Sequence, residues 1–64
     1  MREYTTTEPL TGEQADNFLE WFDNEIGTET ELMQLEDRFF ITFFELTSNE
    51  VSKVRYYDNK KARI

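Results

Sequence analysis

The sequence predicts a single small α+β domain with the element order β-α-β-β-β. Three observations predict this class: an apolar stripe of helical period follows Thr11, an aromatic-rich run of strand character occupies residues 38–47, and turn-forming residues separate that run from its neighbours. A chain of 64 residues is long enough for one domain only. We expect a three-strand antiparallel meander packed on one helix.

The first two predicted elements are a short strand and an amphipathic helix. Residues 2–7 are rich in Thr and Tyr, which favour strands, and Pro9 biases the residue before it toward an extended conformation. Thr11 and Gln14 have the spacing of a capping box, in which each side chain accepts from the other residue's amide. The apolar residues that follow share one helical face and end before Gly27, a helix stop signal: Ala15, Phe18, Leu19, Phe22 and Ile26.

The next three predicted elements are strands. Residues 28–37 fit two alternatives, because a second capping-box pattern starts at Thr28 and the residues after it have good helix propensity. A strand is preferred, since the segment is short and leads directly into the strong strand at residues 38–47. A turn at residues 47–50 and a returning strand at residues 51–58 follow, before a basic tail at residues 59–64.

The expected register, with turns at residues 36–37 and 47–50, assigns the strand residues to two faces of the sheet. The face expected to contact the helix holds Leu32, Phe39, Ile41, Phe43, Val54 and Tyr56. The opposite face is expected to hold Met33, Leu35, Phe40, Phe44, Leu46, Val51 and Tyr57. One helix cannot cover both faces, so either the chain termini, a partner or a second copy must cover the other, or it stays exposed.

Charge is distributed very unevenly along the chain. Between Glu3 and Asp37 there are eleven carboxylates and no lysine or arginine, whereas residues 51–64 have five basic groups and one acid. A long block of one sign destabilises a compact fold by self-repulsion, so its presence favours a positively charged partner. The formal net charge of −7 disfavours direct binding of the acidic part to nucleic acid or to an anionic membrane.

Four acids form a row on one flank of the predicted helix, clear of its apolar face: Glu13, Asp16, Glu20 and Asp23. Neighbouring members lie about 5–6 Å apart, so basic side chains that grip a nucleic-acid backbone would also grip this row. The alternative is an ordinary solvated helix face. Trp21, beside the apolar face, is either an interface anchor or the edge of the core. The predicted partner-binding surface continues with Glu29, Glu31, Glu36 and Asp37.

The basic residues near the C-terminus also have two interpretations. They are Lys53, Arg55, Lys60, Lys61 and Arg63. The favoured interpretation is that they are internal counter-charges to the acidic block and solubilising tail residues. The other is that they contact nucleic acid, with Tyr56 and Tyr57 as stacking partners.

Catalysis, cofactors and metal ions are not expected. The chain has no histidine and no cysteine, which removes the usual general base, thiol nucleophile and zinc ligands. A calcium loop starting at Asp23 is a poor fit, because Thr28 and Gln34 stand where an EF-hand needs Gly and Glu. No apolar run approaches the roughly 20 residues that span a bilayer, and no signal-peptide pattern is present. A cytoplasmic location is therefore expected.

In size, acidity, lack of Cys and His, and aromatic-rich composition, the chain resembles the small phage-encoded inhibitors that block host defence or nucleic-acid enzymes, including anti-CRISPR proteins and other DNA mimics. The resemblance rests on the block from Glu3 to Asp37 and on its helical acidic row. It implies a non-catalytic inhibitor, in the host cytoplasm, that occupies the basic groove of a nuclease or a similar enzyme. The alternative is a small assembly module that dimerises or binds a partner through the outer apolar sheet face.

Overall fold

Two helices pack on one face of a three-stranded antiparallel sheet. The computed structural model describes residues 1–62. Its elements are β1 (Arg2–Thr5), α1 (Gly12–Glu25), β2 (Thr30–Leu35), β3 (Arg38–Leu46) and α2 (Ser48–Lys60). The strand order is β1-β3-β2, with β3 antiparallel to both neighbours. The predicted class, a single small α+β domain, is confirmed.

The limits of α1 follow from its two ends. The Gln14 amide donates to the Thr11 hydroxyl at 3.2 Å and the Thr11 amide donates to Gln14 Oε1 at 3.0 Å, so the predicted capping box is formed. At the other end, Gly27 has a φ of 79° and its amide donates to the Phe22 carbonyl oxygen at 2.9 Å. This left-handed backbone conformation favours glycine, which explains why the helix ends where the sequence predicts.

The hairpin of β2 and β3 confirms the strand alternative for residues 28–37. Leu35 pairs with Arg38 across the predicted two-residue turn, and the register continues to Thr30 opposite Phe43. Directly opposed residues share a face, so the inner face, which carries both helices, holds Phe39, Ile41 and Phe43 as predicted. Both edges of β3 are occupied, since β1 pairs along its other side.

The predicted strand over residues 51–58 is wrong, and with it the order β-α-β-β-β and the three-strand meander on a single helix. This segment belongs to helix α2. The predicted turn before it contains a capping box formed by Thr47 and Glu50. The Glu50 amide donates to the Thr47 hydroxyl at 3.2 Å, and Glu50 Oε1 accepts from the Thr47 amide at 2.8 Å. These local hydrogen bonds start a helix immediately after β3 ends.

The side chains of α2 recur at helical spacing. Val51, Val54 and Asp58 lie at offsets 0, 3 and 7, and the latter two are fully buried. The abundance of Val and Tyr favours a strand by propensity alone, but packing overrides so weak a preference. Tyr56, expected to contact the helix, is 58% exposed, whereas Tyr57, expected on the outer face, packs against the core.

One core lies between the inner sheet face and the two helices. Its buried residues are Leu10, Ala15, Phe18, Phe22, Ile41, Phe43, Leu46, Val54 and Ala62. Leu46 was expected on the outer face, and that expectation is wrong. The pairing of β1 with β3 shifts register between Arg2 and Tyr4, and Glu45 has a φ of 58°. This bulge turns the last residue of β3 toward the core.

The predicted basic tail lies only partly within the described residues. Asn59 and Lys60 are the last residues of α2, and Ala62 is buried. The Lys61 and Ala62 amides both donate to the Tyr57 carbonyl oxygen, at 2.9 and 2.8 Å. Arg63 and Ile64 lie outside the described residues.

Candidate protein-interaction surface

Aromatic contacts with α2 determine how α1 is oriented. The Trp21 ring stacks on the Tyr57 ring, with centroids 4.3 Å apart and planes 19° apart, and Phe18 packs on the same Tyr57 ring at 4.6 Å. Trp21 is half-buried in this contact. Because α2 packs on β1 and β3, the flank of α1 that carries Trp21 faces the β1 side of the domain.

The predicted acidic row lies on the other flank of α1. At about 100° per residue, Asp16 and Asp23 lie roughly 140–160° around the helix from Trp21. Glu13 and Glu20 lie roughly 80–100° from Trp21, beside Asp16 and Asp23 and on the surface of the helix that faces away from the sheet. All four side chains are exposed, and we call them the acidic flank. Since the strand order is β1-β3-β2, a flank that points away from α2 lies on the β2 side of the domain.

The acidic flank has no cationic counterpart within residues 1–62. In that part of the chain, none of its four carboxylates forms an ion pair with lysine or arginine. An exposed pair between Arg38 and Asp37, with Nε and Oδ1 3.9 Å apart, involves neighbours in sequence. Four of the basic residues that the sequence suggested as counter-charges are instead exposed on and after α2: Lys53, Arg55, Lys60 and Lys61. As far as residues 1–62 are concerned, the negative charge of the flank therefore faces solvent.

The remaining predicted site residues lie on other surfaces. Glu31 pairs with Thr42, which lies between the inward-facing Ile41 and Phe43 and therefore points to the outer face. Glu31 is thus on the outer sheet face. Glu29 precedes β2, and residues 36–37 form the hairpin turn. All of these acids are exposed. The structure therefore groups the four helical acids as predicted but does not join them with the later acids and Trp21 into one patch.

Strand β2 is more open than the sequence indicates. Among the elements of residues 1–62, it packs against β3 alone, because the helices lie over β1 and β3. Leu32, expected beneath a helix, is 49% exposed on the inner face, while Met33 and Leu35 are 55% and 63% exposed on the outer face. Nothing in the alternation of residues 30–35 distinguishes a covered strand from an uncovered one. The helix positions, which are tertiary, make the difference.

Three further features of residues 1–62 are the placement of the acidic side chains, a surface depression and the apolarity of the helices. Within residues 1–62, no three acidic side chains are placed to hold a metal ion together. A shallow depression of about 240 Å³ is lined by Met1, Arg2, Leu46, Thr47 and Ser48, and no predicted site residue contributes to it. Across the same residues, neither helix has the length and apolarity needed to cross a bilayer.

Comparisons with known proteins do not place the chain in a family. No protein-family model matches the sequence, and neither the curated proteins nor the solved structures contain a significant match.

Proposed function

We propose that this protein is a non-catalytic inhibitor or regulator that presents an acidic surface to a basic partner protein, one whose own ligand is nucleic acid. The observation that carries the proposal is the acidic flank, four exposed carboxylates on one side of α1 without an ion-pair partner in residues 1–62. Like charges three and four residues apart on a helix destabilise it. A cationic partner would offset that repulsion on binding.

The mechanism that follows is steric exclusion with charge mimicry. The flank extends over about 15 Å of helix, at 1.5 Å per residue, and offers negative charges at short, regular intervals. Arginine and lysine side chains that line a nucleic-acid groove form charge-assisted hydrogen bonds with carboxylates as they do with phosphates. A domain seated in such a groove blocks the nucleic acid without any chemical step. The partner class is thus a nuclease or another nucleic-acid enzyme.

The proposal is tested by affinity capture from a nuclease-treated bacterial lysate, followed by elution with increasing sodium chloride. We expect a basic nucleic-acid enzyme to be retained at low salt and released well below about 1 M, where the Debye length falls to about 3 Å. The purified partner should then lose binding of a labelled oligonucleotide when this protein is added. The double variant Asp16→Lys/Glu20→Lys should capture none of it.

The matched control is Glu3→Lys/Glu45→Lys, which makes the same change in net charge at exposed positions of β1 and β3. This control should capture the partner almost as well as the unaltered protein. Equal capture by both double variants, or retention of the partner in about 1 M salt, would show that the acidic flank does not determine binding.

A second candidate function is assembly through the outer sheet face. The observation that favours it is that Met33 and Leu35 are more than half exposed beside the half-buried Phe40 and Phe44. Association through apolar area is nearly indifferent to salt, unlike association through charge. Sedimentation velocity over a range of protein concentrations at low and high salt separates the two, because only the second candidate predicts a salt-insensitive dimer of the isolated protein.

A further inference from the structure

Within residues 1–62, one backbone edge of strand β2 is unpaired. The Phe44 amide donates to the Glu29 carbonyl oxygen at 2.9 Å, and the register continues through Glu31 opposite Thr42 and Met33 opposite Phe40. In an antiparallel pair the hydrogen-bonded positions alternate, so the odd-numbered residues of β2 bond to β3. The amides and carbonyls of the even-numbered residues, Thr30, Leu32 and Gln34, therefore point away from β3. No other strand of residues 1–62 lies beside them.

Among residues 30–35, Glu31 is the only protection that this edge has against pairing. Natural sheets protect exposed edges with lysine, proline, a bulge or a covering element. Residues 30–35 of β2 include neither proline nor lysine and keep a regular register, and no helix covers them. Three of the six side chains are exposed and apolar: Leu32, Met33 and Leu35. An edge of this kind favours an added strand.

We propose that the edge of β2 is completed by an extended segment of the basic partner, in which basic side chains alternate with apolar ones. This inference rests on the proposed function and specifies how the partner binds. Side chains of an added strand alternate between the two sheet faces. Those on the inner face would lie on the β2 side of the domain, toward which Asp16 and Asp23 point. Those on the outer face would lie beside Met33 and Leu35.

Charge repulsion opposes a second copy of this chain as the occupant. Every copy has a formal net charge of −7. Pairing of two β2 edges would bring the two acidic flanks to the same side of a joined sheet, and would place the exposed Glu31 side chains of both copies near each other on the opposite side. Like-charge juxtaposition across an interface is costly, whereas a cationic strand is attracted to the same site. The complementary occupant is therefore a basic segment.

The test uses a synthetic nine-residue peptide of alternating arginine and valine. Two matched peptides accompany it: one with the same composition in two blocks, and one with N-methyl groups on the amides that would face β2. Binding is followed by amide chemical shifts and by hydrogen exchange of the intact protein. We expect the alternating peptide to protect the Leu32 and Gln34 amides from exchange. The two matched peptides should bind with an affinity reduced by about tenfold or more.

Two variants of the protein separate the backbone from the side chain at the same position. Leu32→Pro removes an amide that does not bond to β3, a substitution that an edge strand tolerates. Leu32→Ala keeps that amide and shortens the side chain. We expect Leu32→Pro to lose the alternating peptide and the captured partner, and Leu32→Ala to retain both. The N-methyl peptide gives the same information should the proline variant be poorly folded.

Different results would refute the inference about the β2 edge and the proposed function of the acidic flank. If Leu32→Pro captures the partner as the unaltered protein does while Asp16→Lys/Glu20→Lys does not, the strand inference is wrong and the proposed function stands. If neither variant loses the partner, the proposed function fails as well. A neutral peptide alternating threonine and valine that binds as tightly as the basic one would refute the assigned charge of the occupant. A dimer that Leu32→Pro dissociates would identify a second copy as the occupant.

Discussion

The phenol of Tyr4 donates a hydrogen bond of 2.7 Å to Oδ2 of Asp58, joining β1 to α2 across 54 positions of sequence. Asp58 is fully buried, and the same oxygen accepts from the Thr7 amide at 3.2 Å. These contacts attach the C-terminal helix to the N-terminal strand. They explain a carboxylate on the buried side of α2, where an apolar residue would be expected, since a buried polar group must be hydrogen-bonded.

Tyr4→Phe should lower the free energy of unfolding by about 1 kcal/mol, because it removes one partner of a part-buried hydrogen bond. Urea unfolding measures this change. Tyr56→Phe is the control, since the Tyr56 side chain is 58% exposed and the substitution should leave the midpoint unchanged. Equal midpoints for the two variants would contradict a stabilising role for the Tyr4 contact.

Thr47→Ala should destabilise the protein by about 1 kcal/mol, the usual value of an N-cap. The Thr47 hydroxyl accepts from the Glu50 amide and opens α2, so its loss should also weaken the helical chemical shifts of the first turn. Asn49→Ala, an exposed change in the same turn, should be neutral or slightly stabilising. Extended-strand chemical shifts over residues 51–58 in the unaltered protein would refute the helix itself.

Gly27→Ala should lower the free energy of unfolding by about 1 kcal/mol. A side chain is disfavoured in the left-handed conformation, and this cost exceeds the gain from the lower conformational entropy of the unfolded chain. The added Cβ would also lie 3.3 Å from the Asp23 carbonyl oxygen. Thermal unfolding measures the effect. Gly12→Ala is the matched control at the start of α1, where the new Cβ would meet a Phe39 ring carbon at an ordinary 3.6 Å. There we expect unchanged or increased stability.

Tyr57→Ala should shift the fluorescence emission of Trp21 to longer wavelength. Trp21 is the chain's single tryptophan, and its ring stacks on Tyr57 at 4.3 Å, so removal of that ring exposes the indole to water. Tyr56→Ala, one residue earlier on the exposed side of α2, should leave the emission unchanged. A spectrum that responds equally to both variants would be inconsistent with the stacked arrangement of the two helices.

The accuracy of the sequence predictions follows the range of the interactions that specify each element. The capping box at Thr11 and the stop at Gly27 are local, and both ends of α1 are where they predict. Thr47 and Glu50 have the same spacing as Thr11 and Gln14, a local helix-start signal that the predicted turn and returning strand over residues 47–58 do not use. The helical spacing of Val51, Val54 and Asp58 is the signal that identifies α2.

The candidate surface divides in the same way. Helical periodicity alone groups the acidic flank, because residues three and four apart share a side of any helix. Which side of the domain that flank occupies depends on the contact of Trp21 with Tyr57, which joins residues from two helices. The exposure of Leu32 likewise depends on where the helices lie. No pattern within β2 could predict it.

The sequence by itself determined the charge asymmetry and the limits of α1, because residue order, local hydrogen bonds and side-chain period specify them. It favoured the β2–β3 hairpin over a helix at residues 28–37, and the pairing of β2 with β3 decided between the two. Only the tertiary structure decided that β1 pairs with the second edge of β3, that Leu46 turns inward at a bulge, and that β2 is left uncovered. Those outcomes depend on competition between segments far apart in sequence for the same strand edge and the same apolar face. Such a competition is settled by packing, which no local pattern encodes.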